Sequence, residues 1–137
     1  AHAAERKDKA LALLKRCGIE EAERVYRSYP HQLSGGLRQR AMIAQALAGG
    51  PKLIIADEPT SSIDVTLQAK VLELFQQLRK ELDLSILLIT HDLGLVRHLA
   101  DRVVVLRQGE IVEQGRVENV LTDPQHPYTQ QLMAAGG

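Results

Sequence analysis

Two continuous apolar runs constrain this chain more than any other feature. Leu53-Ile54-Ile55-Ala56 and Ser85-Ile86-Leu87-Leu88-Ile89-Thr90 are both of strand length, and neither alternates with polar residues. Such runs suit strands buried on both faces of a sheet, as in parallel α/β architectures. Between them, residues 65–82 carry Leu67, Val71, Leu74, Phe75, Leu78 and Leu82 at helical spacing, which predicts an amphipathic crossover helix. Strand, helix, strand is the unit of a parallel sheet.

The flanks extend the pattern. Residues 5–17 read as an amphipathic helix with Leu11, Leu14 and Cys17 inward and Gly18 as its stop, followed by a short helix over 20–28. Pro30 keeps Tyr29 out of helical geometry, so 29–33 reads as a loop. Ser34 is placed to cap a helix running to about Ala48, with Met42, Ile43, Ala46 and Leu47 inward and Gly49-Gly50-Pro51 ending it. After the second apolar run come a helix over 92–100, strands 102–107 and 110–114 joined by a tight turn at Gln108-Gly109, a short helix near 117–122 and another after Pro127. The expected organisation is a helical portion over 1–50 and an α/β portion over 51–137.

Seventeen basic residues balance seventeen acidic ones, so no cationic surface announces a nucleic-acid partner. No apolar run nears the roughly 20 residues that span a bilayer. Cys17, the single cysteine, reads as a small buried core residue compatible with a reducing compartment. Both ends of the chain read as cuts in a longer sequence.

Chemistry is expected where strands end, since open α/β sheets bind ligands at the carboxyl edge. The first run delivers Asp57-Glu58 and the second delivers His91. One acidic pair alone reads better as a solvated turn. Adjacent carboxylates held at the end of a buried strand suit metal binding with base catalysis. In Leu33-Ser34-Gly35-Gly36, glycine amides at a capped helix start can receive a phosphate, although a capped start by itself is ordinary structure. His31, His98, Arg38 and Arg40 read as surface, packing or solvent-facing residues.

Taken together, Leu33-Ser34-Gly35-Gly36, Leu53–Thr60, Ser61-Ser62-Ile63-Asp64 and Thr90-His91-Asp92 resemble, in order and spacing, the signature motif, Walker B strand, D-loop and switch histidine of ABC ATPases. The resemblance implies the carboxyl-terminal half of a P-loop NTPase-type α/β domain with part of its helical signature subdomain. It further implies ATP and Mg²⁺ as ligands. Asp57 would hold Mg²⁺, Glu58 would be the general base and His91 would contact the γ-phosphate. Ser34, Gly35 and Gly36 would clasp a nucleotide held by a second ATPase subunit, and Asp64 would signal across that dimer.

No G-x-x-x-x-G-K-[ST] segment occurs, so the chain is expected to be inactive alone. Tyr29–Arg40, Asp64–Ala69, Thr90–Val96 and His126-Pro127-Tyr128-Thr129 resemble the oligopeptide, dipeptide and nickel importer branch, with Leu37 as a branch marker. That branch implies membrane-spanning permease subunits, an external solute-binding protein and a peripheral place on the cytoplasmic face. A DNA-repair or chromosome-type ATPase is a second class, for which the heptad runs and basic stripe are missing. A non-catalytic interaction fragment is a third.

Overall fold

The computed structural model describes residues 2–60 and 65–136, in two compact units divided between Leu87 and Leu88. The first unit begins with α1 (Ala3–Arg16) and α2 (Ala22–Arg27), then a 3-10 turn at Pro30–Gln32 and α3 (Gly35–Leu47). β1 (Leu53–Asp57), α4 (Val65–Leu82) and β2 (Ser85–Ile89) follow, and β1 and β2 pair as a parallel two-stranded sheet. The bond from Ser85 N to Lys52 O, 2.9 Å, sets where that pairing begins.

Helix ends here follow local chemistry. After α1, Gly18 takes φ 73, its N–H donates to Lys15 O and the N–H of Ile19 donates to Leu14 O. That is a Schellman stop, and it needs a left-handed residue that glycine adopts without steric cost. α4 ends the same way, with Leu84 N donating to Arg79 O, yet the left-handed position belongs to Asp83 at φ 49.

Core packing confirms most of the helical periodicity. Leu14, Cys17, Ile19, Val25, Ile43, Leu47, Val71, Leu74, Phe75 and Leu78 are all buried. On α3 the inward set is Ile43, Ala44 and Leu47, whereas Met42 is 59% exposed and Ala46 faces solvent. The expected stripe was rotated by one position, because alanines carry too little apolar signal to fix a helix's phase. The Leu67 side chain lies outside the described residues.

β1 departs from expectation more. Ile54 and Ala56 are buried, but Leu53 and Ile55 are 53% and 63% exposed, and Leu87 on β2 is 51% exposed. The run is continuous in apolar residues, yet only one face of this strand is covered among the described residues.

In the second unit, α5 (Leu93–Leu99) leads to an antiparallel hairpin of β3 (Arg102–Arg107) and β4 (Glu110–Arg116), then α6 (Val117–Val120) and α7 (Pro127–Ala135). Gln108 and Gly109 both have positive φ, 52 and 84, as a tight hairpin turn of the mirror-image type requires. Val105 pairs with Glu113 while Leu106 pairs with Ile111, so Val112 is an extra residue that bulges β4. Val96, Val117 and Leu121 form the core of this unit, with Leu93, Ala100, Val103 and Met133 against it.

Candidate functional site

At the start of α3, Ser34 is exposed, Gly35 is half-buried and Gly36 is buried. Ser34 is extended, with φ -62 and ψ 160, and its Oγ accepts from Leu37 N over a long 3.4 Å. The carbonyl of Ser34 accepts the first helical bond, from Arg38 N at 2.9 Å. The N–H groups of the first helical turn have no intrahelical acceptors and carry the positive end of the helix dipole. The turn before it is pinned, since Gln32 Oε1 accepts from Tyr29 N at 2.8 Å and Leu33 is buried. Ser34 is thus the cap the sequence indicates, and Gly35 and Gly36 open the helix.

At the end of β1, Asp57 is exposed and Glu58 is half-buried. Glu58 has φ 44, a left-handed backbone that costs a non-glycine residue about 1–2 kcal/mol. Pro59 disfavours ordinary helical geometry at Glu58 but favours extended rather than left-handed backbone there, and Pro59 and Thr60 are both buried. Gln68 Nε2 on α4 donates to Thr60 O at 3.0 Å and ties this turn to the helix. Sequence reasoning missed Gln68, because a lone glutamine on a polar helix face carries no such signal.

His91 belongs to the second unit, on a turn fastened at both sides. Thr90 Oγ1 accepts from Asp92 N at 3.0 Å, and Asp92 Oδ1 accepts from Gly94 N at 2.8 Å and Leu95 N at 3.2 Å. Asp92 is therefore the N-cap of α5 rather than its first residue, a role its residue type could have suggested. The imidazole of His91 is exposed at the surface of that turn. Ser61-Ser62-Ile63-Asp64, including the proposed signalling aspartate, lies outside the described residues.

Two further expectations resolve differently. Cys17 is fully buried, and burial pushes its thiol up to about 11 against the opposing charges of Arg16 and Arg40. Arg40 does not simply face solvent: its guanidinium Nη1 donates to Gly18 O at 2.7 Å.

Among the described residues no three histidine, cysteine or acidic side chains cluster as a metal cage. Mg²⁺ usually takes one or two protein carboxylates and fills its octahedron with water and substrate phosphates. Asp57, exposed at a strand end, is a fitting single donor.

Residues 2–61 match the ABC transporter family. Over most of its length the chain is similar in sequence and fold to ABC transporter ATP-binding domains. The chain is 58% identical over 132 residues to the peptidoglycan transport ATP-binding protein YejF of Agrobacterium fabrum, across 96% of this chain and 24% of that protein. It is 53% identical to the oligopeptide transport ATP-binding protein OppD of Bacillus subtilis, across 94% of this chain and 36% of the relative. The dimeric structure of a bacterial ABC transporter cassette superposes with TM-score 0.72 at 35% identity, over 85% of this chain and 49% of that one. The chain thus spans about a quarter to a half of the proteins it matches.

Proposed function

We propose that this chain is the signature- and Walker B-bearing part of an ATP-hydrolysing subunit that energises an importer of short peptides, with nickel or a metal chelate as second choice. The observation that carries this reading is the strained, half-buried Glu58 directly after Asp57 at the end of β1. Backbone strain of this kind concentrates at functional sites, because selection tolerates it where geometry matters. The transport names of the two relatives support the importer over a chromosome-type ATPase.

In the proposed mechanism Glu58 accepts a proton from the water that attacks the γ-phosphate of ATP. Asp57 would hold Mg²⁺ through water, and the cation would supply neutralisation of developing phosphate charge. His91 positions the γ-phosphate from its fastened turn. Ser34, Gly35 and Gly36 present amides and a hydroxyl to a nucleotide seated on a second ATPase subunit, identical or similar to this one. Asp64 relays the state of one site to the other. Residues 1–50 form the helical portion and 51–137 the α/β portion of this working unit. It docks peripherally on two membrane-spanning permease subunits at the cytoplasmic face, and a solute-binding protein delivers the cargo. Lacking a phosphate-binding loop, the chain alone binds Mg-ATP weakly and does not turn it over.

Among the described residues no helix is long and apolar enough to cross a membrane. Uptake by the reconstituted complex in vesicles, comparing labelled di- and oligopeptides with nickel, tests the reading. ATP-dependent uptake of peptide is expected; uptake of sugars or phosphate alone, or export, overturns it.

A further inference from the structure

Among the described residues, helix α3 is fastened to the turn after α1 by a directional contact. Arg40, in the second turn of α3, donates its Nη1 hydrogen to the carbonyl oxygen of Gly18 at 2.7 Å. That carbonyl lies just past the last turn of α1, where unpaired helix carbonyls gather partial negative charge. Gly18 has φ 73, and a Cβ added there would stand 3.0 Å from the same Nη1. The backbone reversal that ends α1 is therefore also what lets the guanidinium reach its acceptor.

Elsewhere α1 and α3 pack through apolar side chains, Leu14 on one and Ile43, Ala44 and Leu47 on the other being buried. Apolar burial is non-directional, so a helix held by it alone can rotate or slide at modest cost. A hydrogen bond from a charged donor fixes distance and angle. α3 carries Ser34, Gly35 and Gly36 at its free end, and any rotation of α3 re-aims their amides.

From this geometry we infer that Arg40 is a positioning residue: by bonding the Gly18 carbonyl it sets the orientation in which Ser34, Gly35 and Gly36 meet the partner's nucleotide. The inference rests on the nucleotide role proposed for those three residues. It also makes α1 a lever on the signature segment, since displacing the α1 terminus moves the acceptor.

The test uses the full-length protein in a Glu58→Gln background, with and without Arg40→Gln. Three readouts are taken: ATP affinity of the protomer, ATP-driven dimerisation, and amide hydrogen exchange at Gly36 and Leu37. Arg40→Gln should leave protomer ATP affinity unchanged, weaken dimerisation by about tenfold to a hundredfold, and speed exchange at those amides, the loss expected for one hydrogen bond to a charged group. Arg40→Lys, which keeps a charged donor, should restore part of the dimerisation. Dimerisation at the parent's strength, or protomer ATP affinity falling as far as dimerisation does, overturns the inference. If the Glu58→Gln parent itself never dimerises with ATP, the nucleotide role fails instead; the Arg40 contact then stands only if exchange at Gly36 and Leu37 responds.

Discussion

The helical layer of the first unit and its two-stranded sheet treat apolar residues in opposite ways. Among the described residues most of the helical apolar positions find cover: Leu14, Ile43, Leu47, Phe75 and Leu78 are all buried. In the sheet, Leu53, Ile55 and Leu87 stand more than half exposed on strands whose composition calls for cover on both sides. An amphipathic helix declares one buried face and finds it locally. A continuous apolar strand declares two, and nearby sequence supplies only one. The difference teaches that apolar periodicity reports demand for burial, while the partner that meets the demand can be far away in the sequence.

The largest effect that sharpens this contrast is a pair of substitutions in the chain itself. Leu78→Ala removes a fully buried side chain from α4 and should cost about 2–5 kcal/mol, read from the denaturant midpoint. Ile55→Ser, on the bare face of β1, should cost about 0.5 kcal/mol or less by the same assay. Comparable losses from the two would mean the sheet face is covered after all.

A smaller effect separates the two Schellman stops. Asp83→Gly places glycine where the backbone is already left-handed and should stabilise by about 0.4–1 kcal/mol, the mirror of replacing Gly18 by alanine. A fall in melting temperature for Asp83→Gly would show that the aspartate side chain makes a compensating contact.

The smallest effect concerns the second unit, where α7 is held by a carboxylate rather than by apolar cover alone. Glu113 Oε1 accepts from Gln125 N at 2.8 Å and Oε2 from His126 N at 3.1 Å, while His126 Nδ1 accepts from Tyr128 N at 3.0 Å. Thr129 chiefly, with the Gln125 and His126 amides, holds the Glu113 carboxyl below its ordinary range against the opposing effect of desolvation. The buried Thr129 hydroxyl meets strict hydrogen-bond geometry with no group among the described residues. A small shift of the Thr129 side chain toward Glu113 would pair it, and buried hydroxyls are rarely left unpaired. A carboxyl depressed on folding contributes stability above its unfolded value and loses it as pH falls through the folded one. The protection factors of the α7 amides, corrected for intrinsic exchange, should therefore fall on acidification, and Glu113→Gln should flatten that dependence. Equal pH sensitivity with and without Glu113 would place the clasp elsewhere.

Much of this was legible in advance. Ser34 as cap, the Gln108-Gly109 turn and the α4 stripe follow from local rules, and the structure honours each. What escaped depends on tertiary partners. Met42 lost the core position to Ala44 by packing, Arg40 found a carbonyl distant in sequence, and Glu58 took a left-handed backbone that no propensity scale assigns to glutamate. The candidate site was readable because its motifs are contiguous, whereas the contacts that orient it are not.

The most direct test of the whole account is Glu58→Gln in the full-length protein, assayed for turnover and for ATP-dependent association. Removing a general base should slow hydrolysis by about 10²–10⁴-fold while leaving ATP binding intact, so a nucleotide-trapped dimer should elute early in size-exclusion chromatography with ATP. Near-normal turnover, with no trapped dimer, would contradict the assignment of Glu58 as the base.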